Sequence, residues 1–397
     1  MIGRRSRLLA ALGVLLSAPM DCRSADPAGP SGVRYLEDAT RRLLEGCRIT
    51  AGDGTTLYTP DGKAHYRALW TRDFAYMVEN AGDLIPARDV EACLRYLIRA
   101  QRDDGTVPDR VQPDGVAVYA AGAPDHPVGL ANLDNPAFLV IAVDEHLRRL
   151  PESAARSLFD EWSPQLDRAM AWVPRNPGGL VYNDPARPHS PYGFTDTVGK
   201  TGELFMESLL DWTASRRLAT RHQHAGRADR AEAYRRACRA IEEHLHVLWD
   251  DHEGAFLAAT RDCRQVDIWG NAFAIHIGIP LADRRGRVLH YLANNQGRFV
   301  WRGQVRHLPR GEHWQRLLAP VEPERYQNGA YWATASGWMI EAIASVDPPK
   351  ARSMFEELLA DFRSGGICEC INVGYRQLDS YVANATNPLA AARRLGW

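Results

Sequence analysis

The sequence has no long basic run, and its formal net charge is −1, which speaks against a nucleic-acid partner or an anionic membrane surface. It has no CxxC pair, no HExxH, no glycine-rich nucleotide fingerprint, no P-loop and no nucleophile elbow, so no metal and no cofactor is expected. One Cys-x-Cys pair, Cys368 and Cys370, is not followed by histidines at zinc-ligand spacing. Cysteine is scarce: seven widely spaced residues in 397 define no disulfide framework and read mostly as small buried hydrophobes. Strict period-2 alternation is almost missing, which disfavours a sheet-built core, and no repeat of fixed period appears. Beyond the first residues, no segment is apolar enough to span a bilayer.

What remains is 45% hydrophobic and 24% charged, ample for a large core. The first residues, MIGRRSRLLAALGVLLSAPMDCRSA, run from basic to apolar to small, the layout of a secretory signal, so 1–25 is expected to be a signal peptide and the protein periplasmic or secreted. The Ala-Pro-Met-Asp before Cys22 matches a lipoprotein signal poorly, and lipid attachment there is not expected. Residues 26–32 read as a Pro/Gly/Ser linker and 33–397 as one domain.

Within that domain apolar periodicity predicts helices near 33–46, 71–82, 87–101, 135–149, 155–173, 199–219, 226–248, 268–278, 282–294, 331–345, 347–363 and 386–395. Some neighbours are joined by short breaks, Gly82 to Pro86 and Val346 to Pro349, that make antiparallel hairpins. The other connections, at 46–69, 102–134, 174–198, 250–267 and 295–330, are long and rich in Gly, Pro, Asn, Asp, Tyr and Trp. Loops of that length and aromatic content are functional rather than disordered. About twelve helices whose long loops gather on one face predict an all-α (α/α)6 barrel of six hairpins; an open superhelix of helical pairs is the competitor.

Five stretches carry candidate chemistry. Trp70-Thr71-Arg72-Asp73 opens a helix. It reads either as an Arg–Asp pair on the helix dipole with Trp70 as a staple, or as hydroxyl-binding groups beside an apolar platform for a sugar face. The loop from Gly105 through Asp109, Arg110, Asp114 and Tyr119 to Asp134-Asn135-Pro136 mixes turn chemistry with ligand groups. In Tyr192 to Leu204, Asp196 is either a helix cap or, partly desolvated by Tyr182, Tyr192 and Phe194, a general acid, with Lys200 and Glu203 within a turn or two of it. Gln327 and Asn328 offer amides beside Tyr331 and Trp332, where a glycine turn and core aromatics are the alternative. Glu369 stands in an apolar run between Cys368 and Cys370, and a carboxylate buried there is costly unless paired or used. Carboxylates, amides and aromatics on the loops of a helical barrel point to a glycoside as substrate.

LWTRDFAYMVE resembles the signature of the six-hairpin glycosidases of the glucoamylase type, in which Trp-x-Arg-Asp opens a helix and the Arg and Asp bind hydroxyls of the terminal sugar. LDNPAFLV occupies the place of that group's Asp-Gly-Pro-Ala segment. GFTDTVGKTGELF resembles the acid segment of related glucosidases and trehalases, QNGAYW a late aromatic-amide segment, and GICECIN the segment carrying the general base. The resemblance covers most of 33–397 in scattered blocks and is most specific in WTRD taken with QNGAYW. The paired-glutamate acid segment of true glucoamylases is missing, and no starch-binding or β-sandwich segment accompanies the barrel.

The resemblance implies an exo-acting, inverting glycoside hydrolase. Asp196 would be the acid and Glu369 the base, their carboxyls about 6.5–9.5 Å apart. Trp70, Arg72, Asp73, Asp134, Asn135, Lys200, Gln327, Asn328 and Trp332 would hold the carbohydrate, with Trp269 a further candidate wall. No membrane insertion of the mature domain is expected, and the oligomeric state is not legible. The alternatives are a sugar epimerase or polysaccharide lyase on the same barrel, using His65, His189 or His276, and a non-catalytic glycan-binding protein.

Overall fold

The computed structural model describes residues 30–397; the expected signal segment, Cys22 and most of the expected linker lie outside them. Twelve α-helices are described: α1 Pro30–Gly46, α2 Thr71–Ala81, α3 Ala87–Arg99, α4 Asn135–Arg148, α5 Glu152–Trp172, α6 Phe205–His224, α7 Ala228–His244, α8 Ile268–Ile277, α9 Arg284–Asn294, α10 Ser336–Ala344, α11 Pro348–Gly365 and α12 Ala383–Arg394.

The even-numbered helices each pack on the next, α2 on α4, α4 on α6, then α8, α10 and α12, and α12 returns to α2. That contact closes the ring and rules out an open superhelix; the architecture is an (α/α)6 barrel. Sequence decides which helix goes inside. In α4, NPAFLVIAVD is buried all round, as is nearly every residue of α2 and α12, whereas α3, α7 and α11 are amphipathic and form the outer layer. Inner helices with small residues pack closely: a Cβ on Gly337 of α10 would meet the Asn387 carbonyl of α12 at 2.6 Å.

The long loops hold short antiparallel strands, and among the described residues none of the seven sheets exceeds three strands. Three boundaries differ from expectation for physical reasons. The helix expected at 199–219 starts at Phe205, because Gly202 sits at φ +83 and pairs Gly202–Glu203 with Tyr182–Asn183. Lys200 and Glu203 therefore lie ahead of the helix, Glu203 in a short strand. The helix expected from 331 starts at Ser336, since Tyr331 and Trp332 bridge to Ile371 and Val305. The helix expected at 226–248 ends at His244 and tightens into a 3₁₀ turn over Leu245–Leu248.

Candidate active site

Trp70 immediately precedes α2, and the turn after it is stitched to the following loop. Trp70 pairs with Arg110, the Thr71 amide donates to the Asp109 carbonyl at 2.9 Å, and the Thr71 hydroxyl donates to Pro108 O at 2.6 Å. The expected Arg72–Asp73 pair does not form. Arg72 instead reaches the Asp109 carboxylate through a guanidinium nitrogen and Asp134 Oδ2 through Nε at 3.3 Å, all three side chains buried. Burial works against the Arg72 charge, but Asp109 and Asp134 outweigh it and hold the guanidinium well above its ordinary range. Arg110 bonds the other Asp109 oxygen at 2.8 Å and lies 4.6 Å over the Trp70 ring. Gly193 packs against Arg72 with no room for a Cβ, and its amide donates to Asp134 Oδ2 at 2.8 Å.

Asp73 accepts from the Tyr381 hydroxyl at 2.6 Å, and burial pushes its carboxyl up to about 6 despite Arg72 nearby. Asp196 follows the 3₁₀ turn Gly193–Thr195 and caps no helix, since none begins before Phe205. Its Oδ1 accepts from Gln327 Nε2 at 2.9 Å. Burial raises Asp196 to about 7, against the opposing pull of Arg72 and Gln327.

Glu369 is fixed by its backbone: the amide donates to the Gln377 and Leu378 carbonyls, and its own carbonyl accepts from Asn384 Nδ2 at 2.8 Å. Its Oε1 accepts from the Tyr66 hydroxyl at 2.9 Å, while Oε2 is buried without a protein partner. Burial pushes Glu369 up to about 8; Tyr66 opposes this, and Asp73, Asp196 and Asp61 add to it. Raised carboxyls clustered in one cleft are a signature of functional sites.

Asp196 and Glu369 line the same cavity, together with Pro60, Tyr66, Trp70, Arg72, Asp73, Gly193, Phe194, Tyr326, Trp332 and Tyr381. Its volume is about 50 Å³, well below that of ordinary ligand clefts. Phe194 meets Trp332 edge-on at 5.6 Å. Trp269 packs behind Phe194 at 5.8 Å, stacked on His307, and does not line the cavity.

Of the other residues expected to touch substrate, Asp134 holds Arg72 from behind. Gln327 holds Asp196. Asn135, at the start of α4, is buried with neither side-chain atom bonded to protein. Asn328 accepts from the Trp314 amide and donates to Val321 O, and Lys200 pairs with Glu207 at 2.7 Å with both side chains buried. None of these five lines the cavity.

Three tyrosines in the cavity wall, Tyr66, Tyr326 and Tyr381, are not among the residues expected from sequence. Tyr326 sits at φ +42, a left-handed conformation that turns it into the cavity wall. The only sequence trace of these three is a tyrosine close to each singled-out motif. His65, His189 and His276 bond Asp61, the Ala131 carbonyl and Glu341 respectively, outside the cavity. Among the described residues, no group of three or more His, Cys, Asp or Glu is placed to hold a metal ion, and all six cysteines there are buried and unpaired.

No protein-family model matches the chain, and no curated protein matches it. Solved structures do. A rhamnosidase from Klebsiella oxytoca with rhamnose bound is similar at TM-score 0.65 and 16% identity, over 94% of this chain and 65% of that one; this chain thus spans about two thirds of its length. A GH63 mannosylglycerate hydrolase from Thermus thermophilus matches at TM-score 0.66 and 16% identity, over 89% of this chain and 99% of the other. A glucoamylase from Saccharomycopsis fibuligera matches at TM-score 0.57 and 12% identity, over 91% and 94%. The chain has the (α/α)6-barrel fold of the six-hairpin glycosidases.

Proposed function

We propose that this protein is an exo-acting, inverting glycoside hydrolase that removes a terminal sugar from an oligosaccharide or glycoconjugate. The observation that carries this is the pair of buried, raised carboxyls, Asp196 and Glu369, facing one small cavity walled by Trp70, Trp332 and tyrosines. Asp196 protonates the leaving oxygen while Glu369 takes a proton from the attacking water on the other face of the ring. Arg72 and Asp73 bind hydroxyls of the terminal sugar, and Trp70 and Trp332 meet its apolar faces.

Burial raises both carboxyls, Asp196 to about 7 and Glu369 to about 8, so each can hold or release a proton near neutrality, and substrate sets which one does. A water donating to the unpartnered Oε2 favours the ionised Glu369, and a glycosidic oxygen accepting from Asp196 favours its protonated form. The lining tyrosines serve as donors: burial, with Glu369 and Asp196 beside them, raises Tyr66 and Tyr326 above their ordinary range, which argues against a tyrosinate base of the lyase kind. The signal peptide expected at 1–25 would place the protein's site of action in the periplasm or outside the cell, which mass spectrometry of the mature N-terminus tests.

A panel of aryl α- and β-glycosides of glucose, mannose and rhamnose, followed by disaccharides and mannosylglycerate, tests the activity. Rhamnose and mannosylglycerate enter because two of the similar structures are named for them. Proton NMR of the first-formed anomer is expected to show inversion, and folded Asp196→Asn and Glu369→Gln variants a loss of 10²-fold or more, roughly what a general acid or base contributes. Full activity in either variant overturns the assignment.

A further inference from the structure

We infer that Gln327 is the positioning residue of the acid, and that it dictates which oxygen of Asp196 carries the transferable proton. This rests on the hydrolase proposal and deepens it. The Gln327 side chain is fully buried. Its Oε1 accepts from the Thr197 amide at 2.9 Å and the Thr197 hydroxyl at 2.7 Å. Its Nε2 donates to the Gly193 carbonyl at 3.1 Å and to Asp196 Oδ1 at 2.9 Å.

A backbone N–H can only donate and a backbone carbonyl can only accept, so Thr197 and Gly193 fix which end of the amide is oxygen and which is nitrogen. Gln327 cannot flip, and toward Asp196 it can only donate. Oδ1 therefore accepts from Gln327 in either protonation state, and because the carbonyl-type oxygen is the better acceptor, this bond favours the acidic proton on Oδ2.

The frame around Gln327 is equally constrained. Its carbonyl accepts from the Trp314 indole at 2.9 Å, and Asn328 ties the same turn to the Trp314 amide and Val321 O. Flanking residues adopt left-handed conformations, with Glu324 at φ +64, Tyr326 at +42 and Gly329 at +127. The strain of this turn delivers one amide to one carboxyl oxygen.

Two variants test this, on whichever glycoside the wild type cleaves. Gln327→Leu removes the donor. Gln327→Glu keeps the volume and the acceptor toward Thr197 but turns an oxygen to Asp196. The donated bond favours the ionised Asp196, so both variants should move the alkaline limb of kcat/KM upward, by about one pH unit for Leu and further for Glu.

A misplaced acid harms poor leaving groups most. Each variant should therefore lose about 10- to 100-fold in kcat on an alkyl glycoside or disaccharide and far less on a dinitrophenyl glycoside of the same sugar. Equal losses on both leaving groups with an unmoved alkaline limb, in either folded variant, would overturn the role of Gln327. A fully active Asp196→Asn would instead overturn the hydrolase assignment beneath it.

Discussion

Gly193 offers the sharpest test of how the sugar-binding arginine is held. A Cβ at this position would overlap Nε, Cδ and Cζ of Arg72, far inside contact distance. Carbon contacts settle near 3.5–4.0 Å, so Gly193→Ala requires the guanidinium to retreat by about 2 Å. That distance breaks the 3.3 Å contact to Asp134 and disturbs the bond to Asp109, leaving the buried Asp134 without its cation and Asp109 with Arg110 alone. Uncoupling a buried ion pair costs about 3–5 kcal/mol, a large share of a total stability of roughly 5–15 kcal/mol.

The urea midpoint, followed by tryptophan fluorescence, should fall accordingly, and KM should rise because Arg72 no longer meets the terminal sugar. A double-mutant cycle isolates the cause. In an Arg72→Ala background the clash is gone, so the alanine at 193 should cost much less there, a coupling of about 2 kcal/mol or more. An alanine variant within ~0.5 kcal/mol of wild type, with unchanged KM, would refute the idea that Gly193 is the back-stop of Arg72.

Three further outcomes are expected. Tyr66→Phe removes a donor that favours ionised Glu369, so the acid limb of kcat/KM should move to higher pH by about one unit; an unmoved limb would detach Tyr66 from the base. Glu369 is raised from 4.5 to about 8 in the folded protein. The native state therefore binds this proton more tightly than the unfolded chain, and its stabilising effect, full below the unfolded value, fades as pH rises toward 8. Glu369→Gln should thus gain on the order of 2–4 kcal/mol in urea titrations at about pH 8 and little at about pH 4, and an equal gain at both would contradict the shift. Lys200→Met strands Glu207 in the interior and should lower stability by about 3–5 kcal/mol with KM unchanged; a raised KM at preserved stability would return Lys200 to the substrate.

The barrel was legible because its signal is local. Apolar-all-round segments such as NPAFLVIAV mark inner helices, and short breaks after Gly82 and Val346 mark hairpins. Helix starts failed at Lys200 and Tyr331, where a left-handed glycine and pairings to strands far along the chain override helical propensity. At the site, Asp196 and Glu369 stood out as carboxyls in apolar or aromatic surroundings. Asn328 and Lys200 looked like ligands because type and neighbourhood are visible in sequence while partners are not. Tyr66 and Tyr381 stayed hidden for the same reason: a tyrosine becomes functional through the carboxylate its hydroxyl meets, 303 residues away for Tyr66 and 308 for Tyr381.

Those separations give the closed ring a temporal meaning. A run of buried amides crosses its seam: Asn80 of α2 donates to Asn387 of α12, Asn387 to the Thr334 carbonyl, the Thr334 hydroxyl to Asn384, and Asn384 to the carbonyl of Glu369. The base thus takes its place only when the last helix docks beside one of the first. A chain ending before residue 327 has Arg72, Asp109 and Asp134 but lacks the amide that bonds Asp196. Gln327, Glu369 and Tyr381 all come late in the sequence, so no product truncated before them carries a complete site.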